Sequence, residues 1–162
     1  MSCNKHDKET EREIMKEELK AYQTLIVEWA RVRNISAEEC VPKQRLKLIE
    51  ESGELARAIL KNDVPEQIDS IGDIFVVLTI LAEQMNESFQ IESISTDGYY
   101  EDFETPQLIQ SIIYSECYVD FEILLELCRR LDLDILTCVS SAWNEIKDRK
   151  GKTLNGVFLK NE

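Results

Sequence analysis

The chain has few of the residues that make turns: five glycines and three prolines in 162 residues. Turn-rich β architectures lean on both, so the scarcity favours helices joined by short connections. Cations are also short, with 19 Lys and Arg against 32 Asp and Glu and a formal net charge of −13. That balance excludes a general binder of nucleic-acid polymers, because a phosphate backbone needs a basic footprint. It leaves room for a small nucleotide whose phosphates are reached through metal ions. No apolar run approaches transmembrane length, and the longest, Ile74 to Ala82, is interrupted by Thr79 and reads as a buried helix face. No membrane partner is expected. The cysteines, Cys3, Cys40, Cys117, Cys128 and Cys138, are odd in number and show no CxxC spacing. They read as reduced thiols, which excludes a disulfide framework or a zinc site. The N-terminus is charged from Lys5 onward, so a signal peptide is not expected and a cytoplasmic location is, and His6 in that stretch carries no assigned role.

The remaining composition, 43% hydrophobic and 31% charged, is that of one soluble domain with its own core, spanning 1–162. Residues 1–8 read as a frayed tail. A helix is predicted from about Thr10 to Arg33, with Ile14, Leu19, Tyr22, Leu25, Ile26 and Trp29 at helical spacing. Ser36-Ala37-Glu38-Glu39 has capping-box form, and Pro42 suits the first turn of a second helix running to about Lys61. After Asn62-Asp63-Val64-Pro65, a third helix runs from about Pro65 to Met85.

Residues 86–104 lose the helical period and read as a loop. Thr105-Pro106 forms an N-cap and N1 pair for a helix reaching Leu131, with a break near Tyr118–Asp120. Asp132 or Asp134 caps a last helix ending near Lys150, with Gly151 as its C-cap glycine. The tail 152–162 is expected to extend over a neighbour. The fold class is therefore all-α: an antiparallel helical bundle in which 86–131 is an inserted loop and helix segment before the last helix.

Two of these helices carry an unusual load of acid. Glu50 and Glu54 share a stripe on the second, with Glu51 beside it. Asp69 and Asp73 share a stripe on the third, which Glu66 continues one turn earlier. All stand among core-forming residues: Leu46, Leu48, Ile49, Leu55 and Ile59 on one helix, and Ile68, Ile71 and Ile74 on the other. Like charges crowded near a core repel and lose hydration unless a cation or protons neutralise them. Clustered carboxylates with room for water suit Mg²⁺. Gly53 and Gly72 each cost about 1 kcal/mol inside a helix, and their position beside the acids suggests close helix approach at both.

Glu50-Glu51-Ser52-Gly53-Glu54-Leu55-Ala56, followed by Ile71-Gly72-Asp73, resembles the MazG-type all-α nucleoside triphosphate pyrophosphohydrolases, whose motif is EExxE, a spacer and ExxD. The resemblance covers about Tyr22 to Leu81 and resumes at Ala142–Lys152, which is similar to the C-terminal segment of short, often phage-borne members. One residue departs from the pattern. With Asp73 as the final Asp, the Glu three residues earlier is Ser70 here, a poor Mg²⁺ ligand. Asp69, four residues before Asp73 on the same face, is the candidate replacement. A second register reads Glu66-Gln67-Ile68-Asp69 as the ExxD and leaves Gly72-Asp73 unexplained.

The resemblance implies hydrolysis of an NTP or dNTP to the monophosphate and pyrophosphate, for control or sanitation of the nucleotide pool. It implies Glu51, Glu54 and Asp73 as Mg²⁺ ligands, with Mn²⁺ able to substitute, and Glu50 as a further ligand or as the group that orients the attacking water. Whether attack falls on the α or the β phosphorus stays open. Asn144, Lys147, Arg149 and Lys150 are candidate phosphate or sugar contacts, against the alternative that cations merely favour a helix C-terminus. Trp29 is a candidate base-stacking residue or a core residue, and Lys47 reads as a salt-bridge partner before a phosphate ligand. Tyr99-Tyr100 would lid the site or pack on a second subunit. A homodimer or homotetramer is expected, because the apolar surface of the first and third helices looks too large for one chain to cover. Phage origin would move the expected location to the host cytoplasm. A dUTP or dGTP specialist and a catalytically degenerate helical regulator are the competing readings.

Overall fold

The computed structural model describes residues 5–87, 91, 100–114, 121–154 and 157–161. The chain is all-α in its body. α1 is Lys5–Val32, α2 Val41–Lys61, α3 Val64–Gln84, α4 Thr105–Tyr114, α5 Phe121–Leu131 and α6 Ile135–Ile146, with a 3-10 turn at Glu38–Cys40. A hairpin of β1, Gly151–Leu154, and β2, Val157–Lys160, follows. Among the described residues no helix is long and apolar enough to cross a membrane.

The scarcity of glycine has a structural counterpart. Asn34, Asn62, Asn86 and Asp132 all adopt left-handed backbone just past a helix, with φ between 53° and 55°. At each, the following N–H reaches back five residues in the Schellman manner: Ile35 to Ala30, Asp63 to Ala58, Glu87 to Ala82 and Leu133 to Cys128. Asn and Asp tolerate this conformation because their short polar side chains bond locally.

α3 is the central helix, buried almost all round from Ser70 to Ala82. It forms an antiparallel pair with α2, closed by Asn62 and Asp63. The Asp63 carboxylate caps α3 by accepting from the Glu66 N–H at 3.3 Å. Gln67 Nε2 donates to the Ala58 carbonyl at 3.3 Å, and Arg57 pairs with Glu66 at 2.7 Å. These contacts set the register that brings the turn Glu51–Leu55 alongside Ser70–Asp73. α6 crosses the other side, capped by the Asp134 carboxylate on the Thr137 N–H at 2.8 Å. A Cβ on Gly72 would lie 2.3 Å from the Cys138 carbonyl oxygen and 2.8 Å from Ala142 Cβ, so only glycine allows this crossing. α5 adds Phe121 edge-on to Phe75 at 5.8 Å.

Several expectations are corrected. α1 begins at Lys5, inside the expected frayed tail. Gly53 has nothing within 4 Å of a built Cβ, so it marks no close approach. Glu104, not Thr105, stands ahead of α4, its N–H donating to Gln107 Oε1 at 2.6 Å. α6 ends at Ile146, four residues early, and Gly151 starts a strand, where a Cβ would meet the Leu159 carbonyl oxygen at 2.1 Å. The tail folds back on its own chain as the hairpin. The apolar surface of α3 is covered by α1, α2, α5 and α6 of the same chain, so α3 no longer argues for a second copy. Exposed large hydrophobic residues include Ile14, Leu25 and Val32 on α1, Leu46, Ile49 and Leu60 on α2, and Val64 at the start of α3. Cys3, Cys117, Tyr99, the break near Tyr118–Asp120 and most of the 86–99 loop lie outside the described residues. Cys40, Cys128 and Cys138 are buried free thiols. Tyr100 packs against Phe103 at 5.4 Å.

Candidate active site

The antiparallel register of α2 and α3 has a chemical consequence. α2 turns acids, lysines and one amide towards the cleft, and α3 turns Asp73 and then an apolar stretch. A cavity of about 490 Å³ lies there, lined by Glu50, Glu51, Glu54 and Asp73 together with Lys43, Gln44, Lys47 and Arg149. Its apolar lining is Trp29, Ile35, Val76, Val77, Ile80, Ile146 and Phe158.

The carboxylates differ sharply in burial. The Glu51 side chain is 2% exposed, Glu54 38% and Glu50 57%. Lys47, one turn earlier on α2, puts its ammonium 2.6 Å from Glu51 and 2.9 Å from Glu50. Lys47 is thus the salt-bridge partner expected from the sequence. Burial works against that ammonium, but the hydrogen bonds to Glu51 and Glu50 outweigh it and hold its pKa above the usual lysine value. Glu51 is pushed the other way: burial raises its pKa despite Lys47, and Glu54 and Glu50 add to the rise. Its second oxygen, Oε2, is buried with no hydrogen-bond partner among the described residues.

Asp73 carries the largest imbalance. Burial first, then the charges of Glu51, Asp69 and Glu145, push its carboxyl up to about 7, with Arg149 opposing. Asp69 is raised by burial and by Glu145, Glu66 and Glu54, again with Arg149 opposing. Asp69 faces this group electrostatically but does not line the cavity. Ser70 is 1% exposed and its hydroxyl has no partner among the described residues; Ser52 across the helix pair is in the same state.

The C-terminal polar cluster divides. Arg149 lines the cavity and is paired with Glu145. Asn144, Lys147 and Lys150 are exposed, and none of them lines it. Trp29 is 8% exposed; its Nε1 donates to the Ile146 carbonyl at 2.9 Å and its ring lies under Arg33 at 4.5 Å. Lys43, Gln44 and Phe158 were not singled out from the sequence. Lys43 and Gln44 sit one helical turn before Lys47 and Leu48, a spacing that could have found them once the acids were placed on α2. Phe158 could not have been found, because the hairpin that carries it had no strand signal.

Among the described residues, no three acidic, histidine or cysteine side chains already converge as a metal cage. The donor chemistry nonetheless fits a divalent cation. Glu51 Oε2 is a buried oxygen without a partner, Asp73 is surrounded by negative charge, and a lysine ammonium already bridges two of the acids where a cation is needed.

Comparison with known proteins agrees with this geometry. Residues 43–97 match the family model of the MazG nucleotide pyrophosphohydrolase domain, a segment that holds α2, α3 and every acid of the cavity. A protein of Haemophilus phage HP1 (strain HP1c1), described as an uncharacterized 18.2 kDa protein in the rep-hol intergenic region, is 44% identical over 69 residues. That alignment covers 43% of this chain and 42% of the phage protein, so the chain spans less than half of its relative's length. No solved structure matches the chain. The acid-bearing helices thus lie in a segment similar to the MazG nucleotide pyrophosphohydrolase domain, and part of the chain is similar to a phage protein.

Proposed function

We propose that the protein hydrolyses a nucleoside triphosphate, NTP or dNTP, to the monophosphate and pyrophosphate. The observation that carries this reading is the shared cavity: Glu51, Glu54, Asp73 and Arg149 line the same 490 Å³ as Val76, Val77 and Ile80. Acids that outnumber the cations around them suit metal-bound phosphates, and an apolar wall beside them suits a base. The MazG match over these helices supports it.

Glu51, Glu54 and Asp73 would hold Mg²⁺, or Mn²⁺ in its place, with Asp69 as an added ligand directly or through water. The metal would neutralise phosphate oxygens and lower the pKa of a bound water. Glu50, the most exposed of the α2 acids, would turn from its Lys47 pair towards that water, orient it and accept its proton. Arg149 and Lys47, the cations beside the acids, would meet phosphate oxygens. Asn144, Lys147 and Lys150 stand outside the cavity and would reach a substrate only at its rim.

A homodimer or homotetramer is proposed on the exposed apolar residues Leu46, Ile49 and Leu60 of α2, with light scattering as its check. The role is nucleotide-pool control in the cytoplasm, or in the host cytoplasm for a phage gene, and a dUTP or dGTP specialist falls within it. A degenerate regulatory protein is the second reading, favoured by Ser70, whose buried hydroxyl stands where the motif carries Glu.

The test is pyrophosphate release from a panel of NTPs and dNTPs with Mg²⁺, with Mn²⁺ and with EDTA. Metal-dependent release from one or a few substrates is expected. No release from a folded sample would favour the regulatory reading.

A further inference from the structure

We propose that the C-terminal hairpin supplies the nucleobase wall of this cavity, with the Phe158 ring stacking on the base and the Gln44 amide hydrogen-bonding its edge. The inference rests on the nucleotide reading above. It begins from how the cavity is graded along its two main helices. On α3 the lining passes from Asp73 to Ile80, about 10 Å along the axis at the helical rise. α2 runs antiparallel, so Glu54 lies at the Asp73 end and Gln44 at the Ile80 end. A ligand filling this space would meet acids at one end, and aliphatic side chains with the Gln44 amide and Lys43 at the other.

The aromatic surface at that apolar end belongs to Phe158. Trp29 is already occupied, buried beneath Arg33 and hydrogen-bonded to the Ile146 carbonyl. Phe158 packs edge-on against Trp29 at 5.5 Å and is itself only half-buried, leaving part of its ring for the cavity. Gln44 is half-buried too, and no hydrogen bond is made by its amide among the described residues. An amide offers both a donor and an acceptor, which is what the edge of a base requires.

The hairpin is held firmly enough to act as a wall. Gly151 pairs with Lys160, and the Asn161 N–H donates to the Lys150 carbonyl at 2.9 Å. The Thr153 hydroxyl donates to the Arg33 carbonyl. Arg33 then reaches the Phe158 ring at 5.9 Å and donates to the Arg149 carbonyl at 2.7 Å. One arginine therefore ties the proposed base wall to the backbone of the cation that faces the acids. All of this lies outside residues 43–97, so the hairpin adds to the matched segment a wall that the segment itself does not contain.

The experiment is calorimetric titration with Mg²⁺ present, using methylene-bridged, non-hydrolysable dNTP analogues of the four bases and inorganic tripolyphosphate as the base-free control. The variants are Phe158→Leu, which keeps apolar bulk without a π-face, Phe158→Trp and Gln44→Leu. Phe158→Leu is expected to weaken every nucleotide analogue by about tenfold while leaving tripolyphosphate unchanged, and Phe158→Trp to retain binding. Gln44→Leu is expected to narrow the spread among the four bases. Equal losses for nucleotide and tripolyphosphate, or no loss for either, would overturn the assignment. If wild type releases pyrophosphate yet Phe158→Leu binds as wild type, the hairpin role falls alone. If wild type binds analogues in a Phe158-dependent way but releases nothing, the chemistry falls and the hairpin role stands. Absence of any analogue binding by wild type removes both.

Discussion

Glu126 and Asp73 are both poorly exposed helical carboxylates, and their surroundings treat them in opposite ways. Glu126, on α5, meets Arg129 at 2.7 Å and Arg130 at 2.6 Å. The hydrogen bond from Arg129 leads, Arg130 adds to it against the cost of burial, and the carboxyl falls to about 2. Asp73 has burial and three other acids around it, with Arg149 as the opposing cation, and it rises to about 7. The first site is complete within the chain and contributes to stability. The second is short of positive charge, and Glu51 beside it leaves a buried oxygen unpaired. Carboxylates perturbed in this way cluster at functional sites.

The largest expected effect falls on chemistry. Glu51→Ala or Asp73→Ala should lower pyrophosphate release at least about a hundredfold with the helical circular dichroism intact, whereas Glu126→Gln should leave turnover near wild type. Asp69→Asn should cost less, about tenfold, because Asp69 acts from beside the cavity. Metal should stabilise only the deficient site. At a concentration one hundred times its Kd, Mn²⁺ should raise the melting temperature of wild type by about 5–10 °C, and that of Asp73→Asn by much less.

The pH dependences should have opposite signs. The folded pKa of Asp73 lies above its unfolded value of about 4, so its contribution is present below pH 4 and lost as pH rises through about 7. Metal-free wild type should lose stability across that window relative to Asp73→Asn, by at most about 4 kcal/mol. Glu126 has a depressed folded pKa, so its contribution is present above about pH 4.5 and lost as pH falls towards 2. Glu126→Gln should cost about 1–2 kcal/mol at neutral pH, a modest figure because Arg129 is 63% exposed and water screens the pair. Urea unfolding of both variants across pH 3 to 8 checks the two signs together.

The helices and the acid cluster were legible because each rests on local periodicity. Pro42, Pro65, Asp63 and Asp134 mark starts by rules that act within one turn. The helix ends were harder, since Asn34, Asn62, Asn86 and Asp132 do the work expected of glycine, and Gly151, the apparent stop, belongs to a strand. At Gly72 the close approach expected from a glycine is real, while at Gly53 it is not. Glycine records the absence of a side chain, and whether a neighbour fills that space is decided by tertiary packing. The same limit applies to the cavity. Glu50, Glu51, Glu54 and Asp73 share helical faces that spacing reveals, and Arg149 was a candidate too, whereas Phe158 joins the same cavity through a hairpin latched to Arg33, a contact spanning more than a hundred residues.

The most direct test of the cation deficit is Mn²⁺ titration followed by electron paramagnetic resonance, comparing wild type, Asp73→Asn and Glu126→Gln. Saturable binding is expected in wild type and Glu126→Gln, and its loss in Asp73→Asn. Binding that survives Asp73→Asn unchanged would contradict the account.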